Sequence, residues 1–176
     1  MTTTSDYGLG SLTQAILDAN ASPNRHGPDL IFFKLPGAGP HSISLAAPLP
    51  AITDPVVIDG YSQPGAVRNS LPDESDATLM VELDGGRLRR PADGLLVIAG
   101  SSTIRGLWIH GFDGDGIRIE GGGSNTIEGN RLGCAGEDRG ASNEGSGVAI
   151  VDSSDNVIGG FGPSARNNAS GATKTP

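Results

Sequence analysis

Asp93, Asp113 and Asp115, with Arg118 and Glu120 close behind, form the acidic group best suited to chemistry, and Asp93 and Asp115 each stand one residue before a glycine. Carboxylates repeated at that place can bind sugar hydroxyls or share a hard cation, with Asp113 and Asp115 the candidate ligands for Ca²⁺. Asp-Gly is equally the chemistry of a tight turn, and that is the plainer account of it. Asp59 and Asp84 close two similar runs, VVIDG and VELDG. Two carboxyls roughly 5–9 Å apart are what glycoside hydrolysis requires, although turn initiation again explains both. Trp108 is the only tryptophan, and Arg131 occupies the equivalent place one repeat later. An outward indole can stack on a sugar ring. His26, His41 and His110 are scattered, with no Ser or Cys partner at a recognisable nucleophile motif. Cys134 is the sole cysteine, so no disulfide framework forms within the chain, and no His stands near it to suggest zinc. No cofactor is expected beyond the Ca²⁺ that the acidic group invites.

These residues sit in a repeat. Ile104, Ile127 and Ile158 hold equivalent places, each followed two residues later by Gly106, Gly129 or Gly160. A period of roughly 20–30 residues carrying short strands predicts a solenoid whose insertions loop outward. Apolar residues alternate within each unit, so Leu95 and Val97, Ile117 and Ile119, Val148 and Ile150 are expected to point inward. Leu96 and Ile98, Arg118 and Glu120, Ala149 and Val151 then point outward. Upstream, Ser11 with Gln14 reads as a capping box opening a helix over about 11–20, whose face of Leu12, Ala15, Ile16 and Ala19 covers the first coil. VVIDG and VELDG are expected to stack as neighbouring strands, with residues 62–77 looping out between them. Asn125 and Asn130 are expected to stack as turn asparagines.

At 176 residues the chain fits one domain, with irregular first coils over about 28–90, regular coils over about 93–162 and a ragged end over 163–176. That end runs out of apolar residues, with only Ala169 and Ala172 where Ile or Val is expected. The expectation is a fragment of a longer solenoid, or an open last coil prone to end-to-end self-association. Twelve basic against twenty acidic residues give a net charge of −8, which argues against nucleic acid as partner. Arg87, Arg89 and Arg90 form the one dense basic cluster and read as a solvated loop. No apolar run reaches the roughly 18 residues of a membrane span. No basic stretch followed by an apolar core marks an export signal, so secretion would require one upstream.

The stretches DYGLGSLTQAILDANA, PGAGPHSISL, PLPAITDPVVIDGYSQPG, STIRGLWIHGFDGDGIRIEGGGSNTIEGNRLG and NVIGG together resemble the bacterial right-handed parallel β-helix repeat proteins of the pectin-lyase-like superfamily. The resemblance covers roughly residues 2–168. It implies an all-β right-handed parallel β-helix with a short N-terminal capping helix, from a secreted or surface protein. It leaves function open, because the same coil carries lyases, hydrolases, epimerases, adhesins and inert stalks. In the lyases of the superfamily, outward carboxylates hold Ca²⁺ and an Arg or Lys acts as base. Here two of the three matching strands offer nothing ionisable outward. The expectation is therefore a non-catalytic scaffold or binding module for carbohydrate or a protein partner, with Asp93, Asp115, Arg118, Glu120 and Trp108 as candidate substrate-binding residues. A carbohydrate-active lyase or hydrolase is the alternative, and an inert stalk the third.

Overall fold

The computed structural model describes residues 1–133 and 142–169. The chain opens with helix α1 (Leu12–Ala21) and then forms short strands: β1 (Asp29–Phe32), β2 (His41–Ser44), β3 (Val56–Asp59), β4 (Val81–Asp84), β5 (Leu95–Val97), β6 (Thr103–Arg105) and β7 (Trp108–His110). They continue as β8 (Ile117–Glu120), β9 (Thr126–Glu128), β10 (Arg131–Leu132), β11 (Val148–Val151), β12 (Val157–Ile158) and β13 (Asn168–Ala169). Three sheets result. The first runs β1-β3-β6-β9-β12, the second β2-β4-β7-β10-β13 and the third β5-β8-β11. Every pairing within them is parallel, and from β5 onward the chain visits the three sheets in turn before returning to the first.

The repeat dictates this pairing. Ile104 faces Ile127 and Ile127 faces Ile158 across the first sheet, while Ile109 faces Leu132 across the second and Ile117 and Ile119 face Leu95 and Val97 across the third. All of these side chains except Ile158, which is 43 % exposed on the last strand of the first sheet among the described residues, join one core that extends from Leu12 and Ile16 on the helix to Leu132. Short strands suffice because each buries its side chains against copies of itself. At the corner between the first two sheets the chain turns through Gly106 at φ +72° and Gly129 at φ +63°. A Cβ at Gly60 would strike the Gly106 carbonyl, so adjacent passes approach backbone to backbone there.

Asparagines close the turns. Asn125 Oδ1 accepts from Ser102 N–H (2.9 Å) and its Nδ2 donates to Gly122 O (3.0 Å) and Asn156 Oδ1 (3.0 Å). Asn130 repeats the arrangement with Leu107 N–H (3.1 Å), Ile104 O (2.9 Å) and Asn167 Oδ1 (3.2 Å). Asn143, buried like them, accepts from Phe112 N–H and donates to Ile109 O. Each amide satisfies backbone groups that the turn removes from water.

Three expectations need correction. VVIDG and VELDG do not stack: β3 lies in the first sheet beside β6, and β4 lies in the second beside β7. Their 25-residue spacing is a step from one sheet to the next, lengthened by the intervening loop, whereas a return to the same sheet takes a full circuit. The capping box is half made, because Ser11 Oγ accepts from Gln14 N–H but the Gln14 side chain donates to Asp18 instead. Val148 and Ile150 hold the inward register against Ile117 and Ile119, yet Ile150 is 45 % exposed, since β11 is the last strand of its sheet among the described residues. Ala169 stands in the Leu132 register as expected, while Ala172 and Cys134 lie outside the described residues.

Candidate functional site

The third sheet brings four of the five sequence candidates together and satisfies them from within. Asp93 Oδ1 accepts from Asp115 N–H (2.7 Å), and Asp115 Oδ1 accepts from Ser146 N–H (2.8 Å), so the Asp-Gly corners form a ladder from pass to pass. Arg118 on β8 reaches the second Asp115 oxygen (3.4 Å) and Glu120 (3.7 Å). Asp113 is exposed and outside this ladder. Among the described residues no group of three or more His, Cys, Asp or Glu is placed to hold a metal. Trp108 belongs to the second sheet, away from this cluster.

Asp59 is on the outer face of the first sheet, in register with Arg105, which is in register with Glu128. Arg105 Nη2 donates to Asp59 at 2.8 Å and its Nη1 to Glu128 at 3.4 Å. The hydrogen bond it donates to Asp59 is the main reason the guanidinium is held above its ordinary pKa. Arg68, from the loop after β3, lies 4.4 Å from the centre of the Tyr61 ring, and Tyr61 Oη donates to Gly129 O (2.7 Å). Burial raises the Tyr61 phenol above its usual value. Every charge here has a partner, so the cluster ties three strands and a loop together rather than waiting for a ligand.

The outer face of the second sheet is different. Two rows run across it at strand spacing: Ser42, Glu82, Trp108, Arg131 and Asn168 in one, and Ser44, Asp84 and His110 in the other. The Trp108 indole is half-buried and held by its N–H, which donates to Gly133 O at 2.9 Å. The His110 ring packs against it at 4.6 Å between centroids and 44° between planes, and the Arg131 guanidinium carbon lies 5.2 Å from the indole centre. Asp84 accepts from Ser44 Oγ–H and from Gly86 N–H, both at 2.9 Å. Glu82 makes no hydrogen bond or ion pair among the described residues. Burial lowers the His110 pKa below 6.5, against the opposing pull of Asp84 and Glu82, so the imidazole is neutral at pH 7. Its Nε2 is buried without a partner.

This face therefore offers a fixed aromatic surface, a free carboxylate, a neutral imidazole and a guanidinium with no acid partner within 4 Å among the described residues. No sequence motif singles out Glu82, because VELDG draws attention to its Asp-Gly corner. The signal was present in the alternation, which places Glu82 and Asp84 on the side opposite Val81 and Leu83. Comparison with family models, with curated proteins and with solved structures finds no match.

Proposed function

We propose that the chain is a right-handed parallel β-helix of pectin-lyase-like kind, from a secreted or surface bacterial protein, serving as a rigid scaffold that binds carbohydrate on the outer face of its second sheet. The observation that carries this reading is Trp108, whose indole is fixed at both ends of its contact set by Gly133 and His110. A rigid, part-exposed indole flanked by polar side chains gives an apolar surface for the C–H face of a sugar and hydrogen-bonding groups for its rim. Glu82 supplies an acceptor for hydroxyls and Arg131 a donor, and neither has to leave an acidic or basic partner to do so. Lateral stacking of strands makes the platform stiff, so little ordering accompanies binding. The exposed apolar residues Ile150, Val157, Ile158 and Phe161 at the far end support end-to-end association or continuation of the coil as a further property of such a scaffold.

A test is titration of the protein with soluble neutral and acidic polysaccharides, followed by calorimetry or tryptophan fluorescence. Saturable binding that quenches or shifts the Trp108 emission, and that is lost in Trp108→Ala but retained in Arg118→Ala, is the expected outcome. Binding lost through Arg118→Ala instead would return the site to the third sheet.

A second reading is hydrolysis, favoured by Glu82 and Asp84 standing two residues apart on one face of β4. That spacing separates their backbones by about 7 Å on one face, which leaves their carboxyls able to approach the separation that paired catalytic carboxyls use. Against it, Asp84 is already committed to Ser44 and Gly86. Reducing ends released from a polysaccharide by the wild type and not by Glu82→Gln would favour the enzyme.

A further inference from the structure

The charges around Trp108 are unevenly placed, and that placement narrows the class of sugar. Trp108 has a strand on either flank. On one, β10 brings Arg131, whose guanidinium carbon lies 5.2 Å from the indole centre. On the other, β4 sets Glu82 in register with Trp108, one strand spacing of about 4.8 Å away. Glu82 is half-buried and makes no hydrogen bond or ion pair among the described residues. One flank of the indole thus has its cation, and the other has a carboxylate waiting for one.

The groups packed around Glu82 leave that charge uncompensated. Asp84, two residues on and on the same face, adds a second carboxylate, held by Ser44 Oγ–H and Gly86 N–H. His110 is in register with Asp84 and is neutral at pH 7, because burial lowers its pKa. Ser42 and Ser44 complete the two rows on β2 and carry no charge. Arg87, Arg89 and Arg90 follow Asp84 in the chain, and none forms an ion pair with either carboxylate. A neutral sugar offers Glu82 hydroxyl donors only. A charged amine offers it a charge-assisted hydrogen bond, and offers the indole a cation–π contact as well.

We propose that the sugar held on Trp108 is an amino sugar with its amine free and protonated, as in a de-N-acetylated hexosamine polymer, the ammonium seated between the Glu82 carboxylate and the indole. This rests on the carbohydrate reading of the Trp108 face and names the class of sugar that reading leaves open. Arg131, on the other flank, donates to ring hydroxyls. The net charge of −8 draws a polycation towards the protein from solution. A sugar engages the indole, Glu82 and Arg131 together, whereas a lysine side chain has no second polar edge for Arg131.

Tetramers of glucosamine, N-acetylglucosamine and glucose, with tetralysine as the peptide control, are titrated into the protein by calorimetry at about pH 6.5, where an amine of the α-amino class is mostly charged. The glucosamine tetramer is expected to bind about tenfold more tightly than the other two sugars. Glu82→Gln is expected to erase that margin, to leave the weaker binding of the other sugars unchanged, and to melt as wild type, since Glu82 bonds nothing within the described protein. Trp108→Ala is expected to abolish binding of all three. Equal affinity for the three sugars, or a margin that survives Glu82→Gln, overturns the proposal and leaves the carbohydrate reading standing. Tetralysine binding as tightly as the glucosamine tetramer, with the same dependence on Glu82 and Trp108, gives the site to a basic peptide and overturns it too. No saturation by any sugar up to about 10 mM overturns both the proposal and the carbohydrate reading.

Discussion

Replacing Asn130 with Ala tests whether the asparagine ladder is a principal source of stability. The side chain is 2 % exposed and bonds Leu107 N–H, Ile104 O and Asn167 Oδ1. Leu107 is fully buried, so its orphaned N–H gains no water when the amide is removed, whereas Ile104 O keeps the ladder bond that the parallel register supplies from Glu128 N–H. Asn167 Oδ1 is affected less, because it still accepts from Asn130 N–H at 3.0 Å. One unsatisfied buried N–H gives an expected loss of about 1–3 kcal/mol. Urea unfolding followed by far-ultraviolet circular dichroism reads this as a lower midpoint at unchanged slope. Asn130→Asp adds a sign test. Its carboxylate keeps the acceptor for Leu107 N–H but sets a negative oxygen against Ile104 O and Asn167 Oδ1, which raises the folded-state pKa. The folded protein then holds its proton to higher pH than the unfolded chain, so this group's contribution, relative to wild type, is fully present below about pH 4 and is lost as pH rises through the folded pKa. An Asn130→Ala variant within about 0.5 kcal/mol of wild type would refute the reasoning, since only a surface amide costs so little.

The two charge clusters should respond differently to loss of their arginine. Arg105→Ala leaves Asp59, which is 6 % exposed, without its 2.8 Å partner, and is expected to cost about 1–2 kcal/mol in urea unfolding. Arg118→Ala should move the midpoint far less, because Glu120 is 47 % exposed at the side chain and Asp115, its other partner, keeps the hydrogen bond from Ser146 N–H. His110, whose pKa burial lowers, predicts acid sensitivity: as pH falls below about 6.5 the unfolded chain takes up the proton first, so stability present above that value declines towards the folded pKa. His110→Gln should flatten the dependence of the urea midpoint between about pH 7.5 and 5.5.

Much of the fold is legible in the residues. Ile104, Ile127 and Ile158 announce the stacked strands, Ser11 opens the helix, and the Asp-Gly corners and turn asparagines fall where the spacing puts them. Local chemistry of this kind depends on neighbours a few residues apart or on an exact repeat, and both are written in the chain. The irregular first half was harder, because insertions between strands hide which of the three sheets each strand joins. That ambiguity hides the sheets to which VVIDG and VELDG belong, and with them the places of Asp59 and Asp84.

The sequence by itself determined that short alternating strands must stack in parallel, that a helix covers one end, and that Trp108 and Arg131 share a row. Only the tertiary structure decided which charges are spent. Asp93, Asp115, Arg118 and Glu120 look equivalent to Glu82 as a list of ionisable residues, yet the first four are joined by backbone amides and by one another, while Glu82 faces solvent beside an indole. The reason is physical: a carboxylate's availability is set by which donors lie within about 3 Å of it, and those donors come from passes of the chain more than twenty residues away.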